Sequence, residues 1–103
     1  MKLLLLGGKG QVGRELRRAL PALGHVLVAT RTGAEGELAA DFDAPESVGE
    51  LVRRIAPDVV VNAVAYTAVD RAESEPDAAF RVNALAPAAI GQACAATGAL
   101  LLH

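Results

Sequence analysis

Four consecutive leucines, Leu3 to Leu6, run straight into Gly7-Gly8-Lys9-Gly10-Gln11-Val12-Gly13. An apolar run this short, bounded by glycines, predicts a buried strand, and behind it Val12, Leu16, Ala19, Leu20 and Leu23 recur at spacings of three and four. That spacing predicts a helix from Gly10 or Gln11 to Leu20, ended by Pro21 and Gly24. Val26 to Thr30 predicts a second strand, and Leu38 to Phe42 a short third one. Asp43-Ala44-Pro45-Glu46 has the form of a helix start. The helix it opens places Val48, Leu51, Val52 and Ile55 on one stripe and Glu46, Glu50, Arg53 and Arg54 on the other, with Pro57 closing it. Asp58 to Asn62, β-branched throughout its middle, predicts a strand buried on both faces. Pro76 then suits a first helical turn, and Asp77 to Thr97 predicts a long helix bent at Pro87, with Phe80, Asn83, Ala86, Ile90, Ala93 and Cys94 near one face. Gly98 ends it, and Ala99 to His103 begins a fifth strand.

The resulting order, β-α-β-β-α-β-α-β, predicts an α/β fold with a parallel sheet. With a glycine-rich turn joining the first strand to the first helix, the expectation sharpens to a Rossmann-like doubly wound sheet of order 3-2-1-4-5. In such a turn one glycine makes the tight bend, one lets a pyrophosphate approach the backbone, and one lets helix and strand pack closely, while the first N–H groups of the helix face the anion. Two registers fit. Gly8-x-Gly10-x-x-Gly13 is that of ordinary dinucleotide dehydrogenases. Gly7-x-x-Gly10-x-x-Gly13 puts the opening glycine directly after the strand and resembles the G-G-x-G-x-x-G loop of the extended short-chain dehydrogenase/reductases. The second is preferred, which makes Gly7, Gly10 and Gly13 candidate cofactor-binding positions.

The ends of the other strands carry the rest of the candidate site. In this fold class an acid after the second strand binds the ribose of NAD, whereas an arginine accommodates the 2′-phosphate of NADP. Thr30 and Arg31 stand there, so Arg31 leans the expectation toward NADPH, with NADH possible. Asp41 and Phe42 would lie beside the adenine, Asp41 accepting from its exocyclic amine and Phe42 touching the ring; a helix cap is the plain alternative for Asp41. After the fourth strand, the small residues Ala63 and Ala65 would let a cofactor lie against the strand end, and Tyr66 and Thr67 would offer hydroxyls near the nicotinamide half. Asn83, a polar group on an apolar stripe, is expected to need partners, main-chain groups before substrate.

Composition narrows the partners. Ten Lys and Arg against twelve Asp and Glu give a net charge of −2 with the basic residues scattered, which argues against nucleic acid. At 103 residues the chain is one domain at most, able to bury roughly two-thirds of its unfolded surface. Only Lys2 separates Met1 from the first strand, leaving no room for a signal peptide, and no apolar run approaches a membrane span, so a cytoplasmic protein with no membrane contact is expected. Cys94 is the single cysteine, which excludes an intrachain disulfide and a cysteine metal cluster; no metal site is expected. His25 and His103 lack a neighbouring Ser, Cys or acid, and no catalytic residue is assigned.

The segments LLLLGGKGQVGREL, ADFDAPE, PDVVVNAVAYTAVDRAESEP and RVNALAP together resemble the dTDP-4-dehydrorhamnose reductase family over essentially the whole chain. The glycine loop alone points no further than an extended short-chain reductase; N-A-x-A-Y-T-A-V-D-x-A-E-x-E-P carries the family. The resemblance implies reduction of the 4-keto group of dTDP-4-dehydro-rhamnose with NADPH or NADH, the last step of activated L-rhamnose synthesis for bacterial surface polysaccharides, by a homodimeric full-length protein. It implies cofactor contacts at Gly10, Gln11 and Val12 on the phosphates, Asp41 and Phe42 on the adenine, and Ala65, Tyr66 and Thr67 nearer the nicotinamide. The family's Y-S-T-D-Y-V-F segment and its catalytic Tyr and Lys in Y-x-x-x-K do not occur in these residues: Tyr66 is the only tyrosine, and Asp70 stands four residues after it. The chain is therefore expected to be the N-terminal portion of an NAD(P)-binding domain, with the catalytic half and substrate domain absent, and inactive alone. Two other readings stay open. One is a non-catalytic NADP-binding regulatory subunit of the same fold, such as that of methionine adenosyltransferase. The other is a different extended reductase such as a sugar epimerase, which fits the loop better than it fits A-Y-T-A-V-D.

Overall fold

Leucine runs without polar interruption because the first strand is buried from both sides. In the computed structural model, which describes residues 1–64 and 76–103, strand β1 (Lys2–Leu6) lies at the centre of a five-stranded sheet of order β3-β2-β1-β4-β5. Its neighbours are β2 (His25–Thr30) and β4 (Val59–Asn62), and the edges are β3 (Leu38–Ala39) and β5 (Leu100–Leu102). All four pairings are parallel, with Leu4 opposite Leu27 on one side and Val60 on the other. The predicted order is the observed one.

Successive residues of a strand face opposite sides of the sheet. Leu4 and Leu6 meet one core, built with Ala29, Val60, Val48 and Ile90. Leu3 and Leu5 meet the other, built with Leu20 and Val61 and flanked by Leu16 and Val28. The first core is covered by α2 (Pro45–Ile55) and α4 (Ala86–Thr97), the second by α1 (Gln11–Ala19).

Helix α2 buries Val48, Leu51 and Val52 as its pattern predicts, and adds Gly49, where a Cβ would lie 3.4 Å from the Ala89 carbonyl of α4. Proline opens it at Pro45, and Ala56 ends it in the left-handed region at φ 49°, its N–H donating to the Val52 carbonyl at 2.9 Å. Pro57 follows and cannot continue the helix.

Two helical faces differ from their sequence patterns. On α1 and the turn after it, Val12 and Leu23 are each 62% exposed and Ala19 is exposed; the face toward the sheet runs through Gly13, Leu16 and Leu20. Close approach at Gly13 selects that face over the more apolar one, and Leu20–Ala22 tightens into a 3-10 turn. The long helix is also not one uniform α-helix. It is α3 (Pro76–Phe80), a π-helical turn at Arg81–Leu85, then α4, with the Ala86 N–H donating to the Arg81 carbonyl across the wide turn. Pro87 has no N–H, and in a continuous α-helix its ring would press on the carbonyl four residues earlier; the π turn stands where a bend is predicted. An extra residue in a turn rotates everything before it relative to everything after it. Phe80 and Asn83 are therefore exposed, while Ala86, Ile90, Ala93 and Cys94 stay buried. Burial pushes the Cys94 thiol pKa up. The third strand is shorter than predicted: after Ala39 one more bond, from the Ala40 N–H to the Thr30 carbonyl at 2.7 Å, ends the ladder and the chain turns toward α2.

Candidate functional site

The carboxyl ends of β1, β2, β3 and β4 converge on one cleft of about 270 Å³, lined by Gly7, Lys9, Gly10, Arg31, Phe42 and Val64 together with Thr30 and Ala40. Its position follows from topology. Open parallel sheets leave a crevice where strand order reverses, here between β1, followed by β2, and β4.

The turn between β1 and α1 is made by glycines with separate duties. Gly7 sits at φ +85°, and its N–H donates to the Ala29 carbonyl at 3.0 Å, so it bends the chain out of the sheet; a Cβ there would also lie 2.5 Å from Val64 Cγ2. Gly13 packs beneath it, where a Cβ would overlap the Gly7 carbonyl oxygen and lie 2.9 Å from Gly8 Cα. Gly7, not Gly8, is thus the bend, as the preferred register expects. Gly10 differs from both. It is the N-cap of α1 at φ −72°, and a Cβ there would meet nothing within 4 Å. Among the described residues no packing demands a glycine at Gly10, which lines the cleft.

Gln11, Val12 and Gly13 form the first turn of α1, whose N–H groups have no acceptor inside the helix. The Gln11 and Val12 side chains are exposed, and Gln11 borders a separate depression with Arg14, Glu15 and Arg18, so any role for these two in the cleft is through the main chain. Arg17 fastens the turn from below: its guanidinium donates to the Gly8 carbonyl at 3.4 Å and to Glu37 Oε2 at 3.1 Å, tying the glycine turn to the segment leading into β3.

Past β2, Thr30 is buried and its Oγ1 accepts from the Gly33 N–H at 3.2 Å, which shapes the following loop. Arg31 stands at the cleft mouth with its side chain 72% exposed, 3.9 Å from Asp41 Oδ1 and 3.7 Å from Asp43 Oδ2. Phe42 is buried and lines the cleft, as does Ala40. Asp41 Oδ1 accepts from the Asp43 N–H at 2.9 Å, so this carboxylate starts the turn into α2. At the end of β4, buried Asn62 accepts through Oδ1 from the Val64 N–H at 3.0 Å, and half-buried Ala63 donates to the Leu6 carbonyl at 2.9 Å, continuing the ladder. Ala65, Tyr66 and Thr67 lie outside the described residues.

Gly7, Gly10, Arg31 and Phe42 thus meet around one cleft, with Gly13 beneath it and Asp41 at its edge. Lys9, one of the variable positions of the glycine motif and so not singled out by it, also lines the cleft. Among the described residues the lining contains no carboxylate, imidazole or thiol. An apolar floor, a main-chain turn open at Gly10 and two cations suit a ligand that is part flat ring and part phosphate.

The sequence profile of the family described as RmlD substrate binding domain matches residues 1–103. Over the same 103 residues the chain is 48% identical to the dTDP-4-dehydrorhamnose reductase of Salmonella typhimurium and 45% identical to that of Burkholderia thailandensis. The chain belongs to the dTDP-4-dehydrorhamnose reductase family. It spans 34% and 33% of the length of those two relatives. Among solved structures it resembles the dTDP-4-dehydrorhamnose reductase of Yersinia enterocolitica, with a TM-score of 0.87 at 33% identity, covering 99% of this chain and 34% of that one. It also resembles the Bacillus anthracis reductase, solved in complex with NADP, with a TM-score of 0.82 at 28% identity, covering 97% of this chain and 34% of that one. No helix among the described residues is long and apolar enough to cross a membrane.

Proposed function

We propose that this chain supplies the cofactor-binding part of a dTDP-4-dehydrorhamnose reductase, and that the complete protein reduces the 4-keto group of dTDP-4-dehydro-L-rhamnose with NADPH. The observation that supports this best is Gly10, a helix N-cap whose absent side chain leaves the cleft open and relieves no contact among the described residues. A main chain bared in this way lets a pyrophosphate approach the first N–H groups of α1. Gln11, Val12 and Gly13 would contribute those groups, while Phe42 and Ala40 would receive the adenine with Asp41 beside it. Arg31 would meet the 2′-phosphate, with Lys9 adding charge from the turn. Ala63, Ala65, Tyr66 and Thr67 would carry the cofactor toward its nicotinamide half. When bound, NADPH supplies the hydride that reduces the keto carbon.

The proton for the resulting alkoxide needs a positioned acid. In short-chain reductases the Tyr and Lys of Y-x-x-x-K fill that role, and no such pair occurs within these 103 residues. The 103 residues alone are accordingly expected to bind nucleotide without turnover. A dTDP-sugar substrate, a cytoplasmic location and a homodimeric complete protein accompany the proposal through the family resemblance.

Gly10→Val in the complete protein tests the assignment. Titration by NADPH fluorescence is expected to show binding abolished, while circular dichroism and the melting temperature stay near those of the unsubstituted protein. Unchanged affinity would remove Gly10 from the phosphate site, and hydride transfer absent from the complete, unsubstituted protein would overturn the reductase reading.

A further inference from the structure

Arg31 does not stand alone at the cleft mouth. Asp43 lies between two guanidinium groups, with Arg81 Nε donating to Oδ1 at 3.2 Å and Arg31 Nη2 lying 3.7 Å from Oδ2. The first contact is a hydrogen bond; the second is too long to be one. Asp43 is thus anchored by Arg81, from the π turn, and only loosely engaged by Arg31, from the end of β2.

From this arrangement we propose that Asp43 and Arg81 set the preference between NADPH and NADH. This rests on the reading that Arg31 receives the 2′-phosphate. A phosphate monoester approaching Arg31 competes with Asp43 for the same guanidinium and is repelled by the same carboxylate. Once Arg31 turns to the phosphate, Arg81 is the cation among the described residues that still balances Asp43. Arg81 therefore favours NADPH without touching it, by holding and neutralising a carboxylate that opposes it. NADH has a 2′-hydroxyl at that place and so brings no charge to Arg31 for the network to act on. Asp41, 3.9 Å from Arg31 Nε, is the second carboxylate facing this guanidinium, but its Oδ1 is bound to the Asp43 N–H.

The experiment is a set of dissociation constants for NADPH and NADH, measured by fluorescence titration on the complete protein at fixed ionic strength, because exposed charges are screened by salt. Asp43→Asn keeps the shape and the backbone N–H. It is expected to tighten NADPH roughly three- to fivefold, the scale of exposed ion pairs, and to leave NADH within error. Arg81→Gln is expected to weaken NADPH by a similar factor, again without effect on NADH. Combined with Asp43→Asn, it should have no further effect, because the charge that it balanced is gone. Arg31→Ala separates the two claims. If it weakens NADPH selectively while Asp43→Asn leaves the NADPH-to-NADH ratio unchanged or lowers it, the role of Asp43 is overturned and Arg31 stands. If it weakens both cofactors equally, the 2′-phosphate reading itself falls. An Arg81→Gln effect that persists in the Asp43→Asn background would show that Arg81 acts by another route and overturn the coupling.

Discussion

Two glycines three residues apart, Gly10 and Gly13, separate packing from ligand access at the residue scale. A Cβ at Gly13 would be driven into the Gly7 carbonyl oxygen and Gly8 Cα, both main-chain atoms that cannot rotate aside. Gly13→Ala should therefore destabilise the complete protein by about 2–4 kcal/mol in chemical denaturation, within the range of strongly overpacked sites. At Gly10 the backbone is already in a conformation any residue adopts and the added methyl meets open space. Gly10→Ala should shift stability by less than about 1 kcal/mol, the scale of an N-cap change, yet weaken NADPH. Equal loss of stability in the two variants would remove the distinction. This much was legible in the sequence because glycine spacing encodes main-chain approach. Lys9 and Asp43 were not, since a motif position that tolerates any residue and an acid before a helix each look ordinary until the fold brings Lys9 to the cleft and Asp43 to Arg31.

At the scale of elements, patterning predicted well where burial alone decides. β1, β4 and α2 came out nearly at their predicted bounds because unbroken leucine, unbroken β-branched runs and a clean stripe each fit one environment. It misjudged α1 and the long helix for a different reason: the buried face of α1 is chosen by contact at Gly13, and the π turn before Pro87 rotates one half of a stripe away from the other. Ala56 offers a sharp test of element-level physics. It ends α2 at φ 49°, exposed, where a Cβ is disfavoured and glycine is not. Ala56→Gly should raise stability by about 0.5–1 kcal/mol, the relief of left-handed strain less the added freedom of the unfolded chain. A destabilised variant in equilibrium denaturation would mean that the left-handed cap is not held in solution.

For the whole molecule, the two faces of the sheet are unequally covered, and the consequence is association. Helices α2 and α4 lie over one face, and the apolar residues there, Leu4, Leu6 and Val60, are fully buried. On the other face α1 covers β1 and β2, and the apolar positions farther along that face are Val59, Val61, Leu100 and Leu102. Val61 is buried, because it packs with Leu3, Leu5 and Leu20; Val59 is half-buried, while Leu100 and Leu102 remain 58% and 47% exposed. Both leucines lie on β5, the last strand in the sheet order among the described residues, so an apolar strip coincides with a sheet edge. Apolar surface beside unpaired strand groups favours pairing with another chain. The 103-residue polypeptide expressed by itself should therefore self-associate in a concentration-dependent way during sedimentation velocity. Replacing Leu100 and Leu102 together by lysine places charge on that strip without disturbing the buried face of β5, and should shift the distribution toward monomer, since edge lysines oppose strand addition. A cooperatively melting monomer at every concentration, before any substitution, would mean that the bare strip on β5 does not drive association.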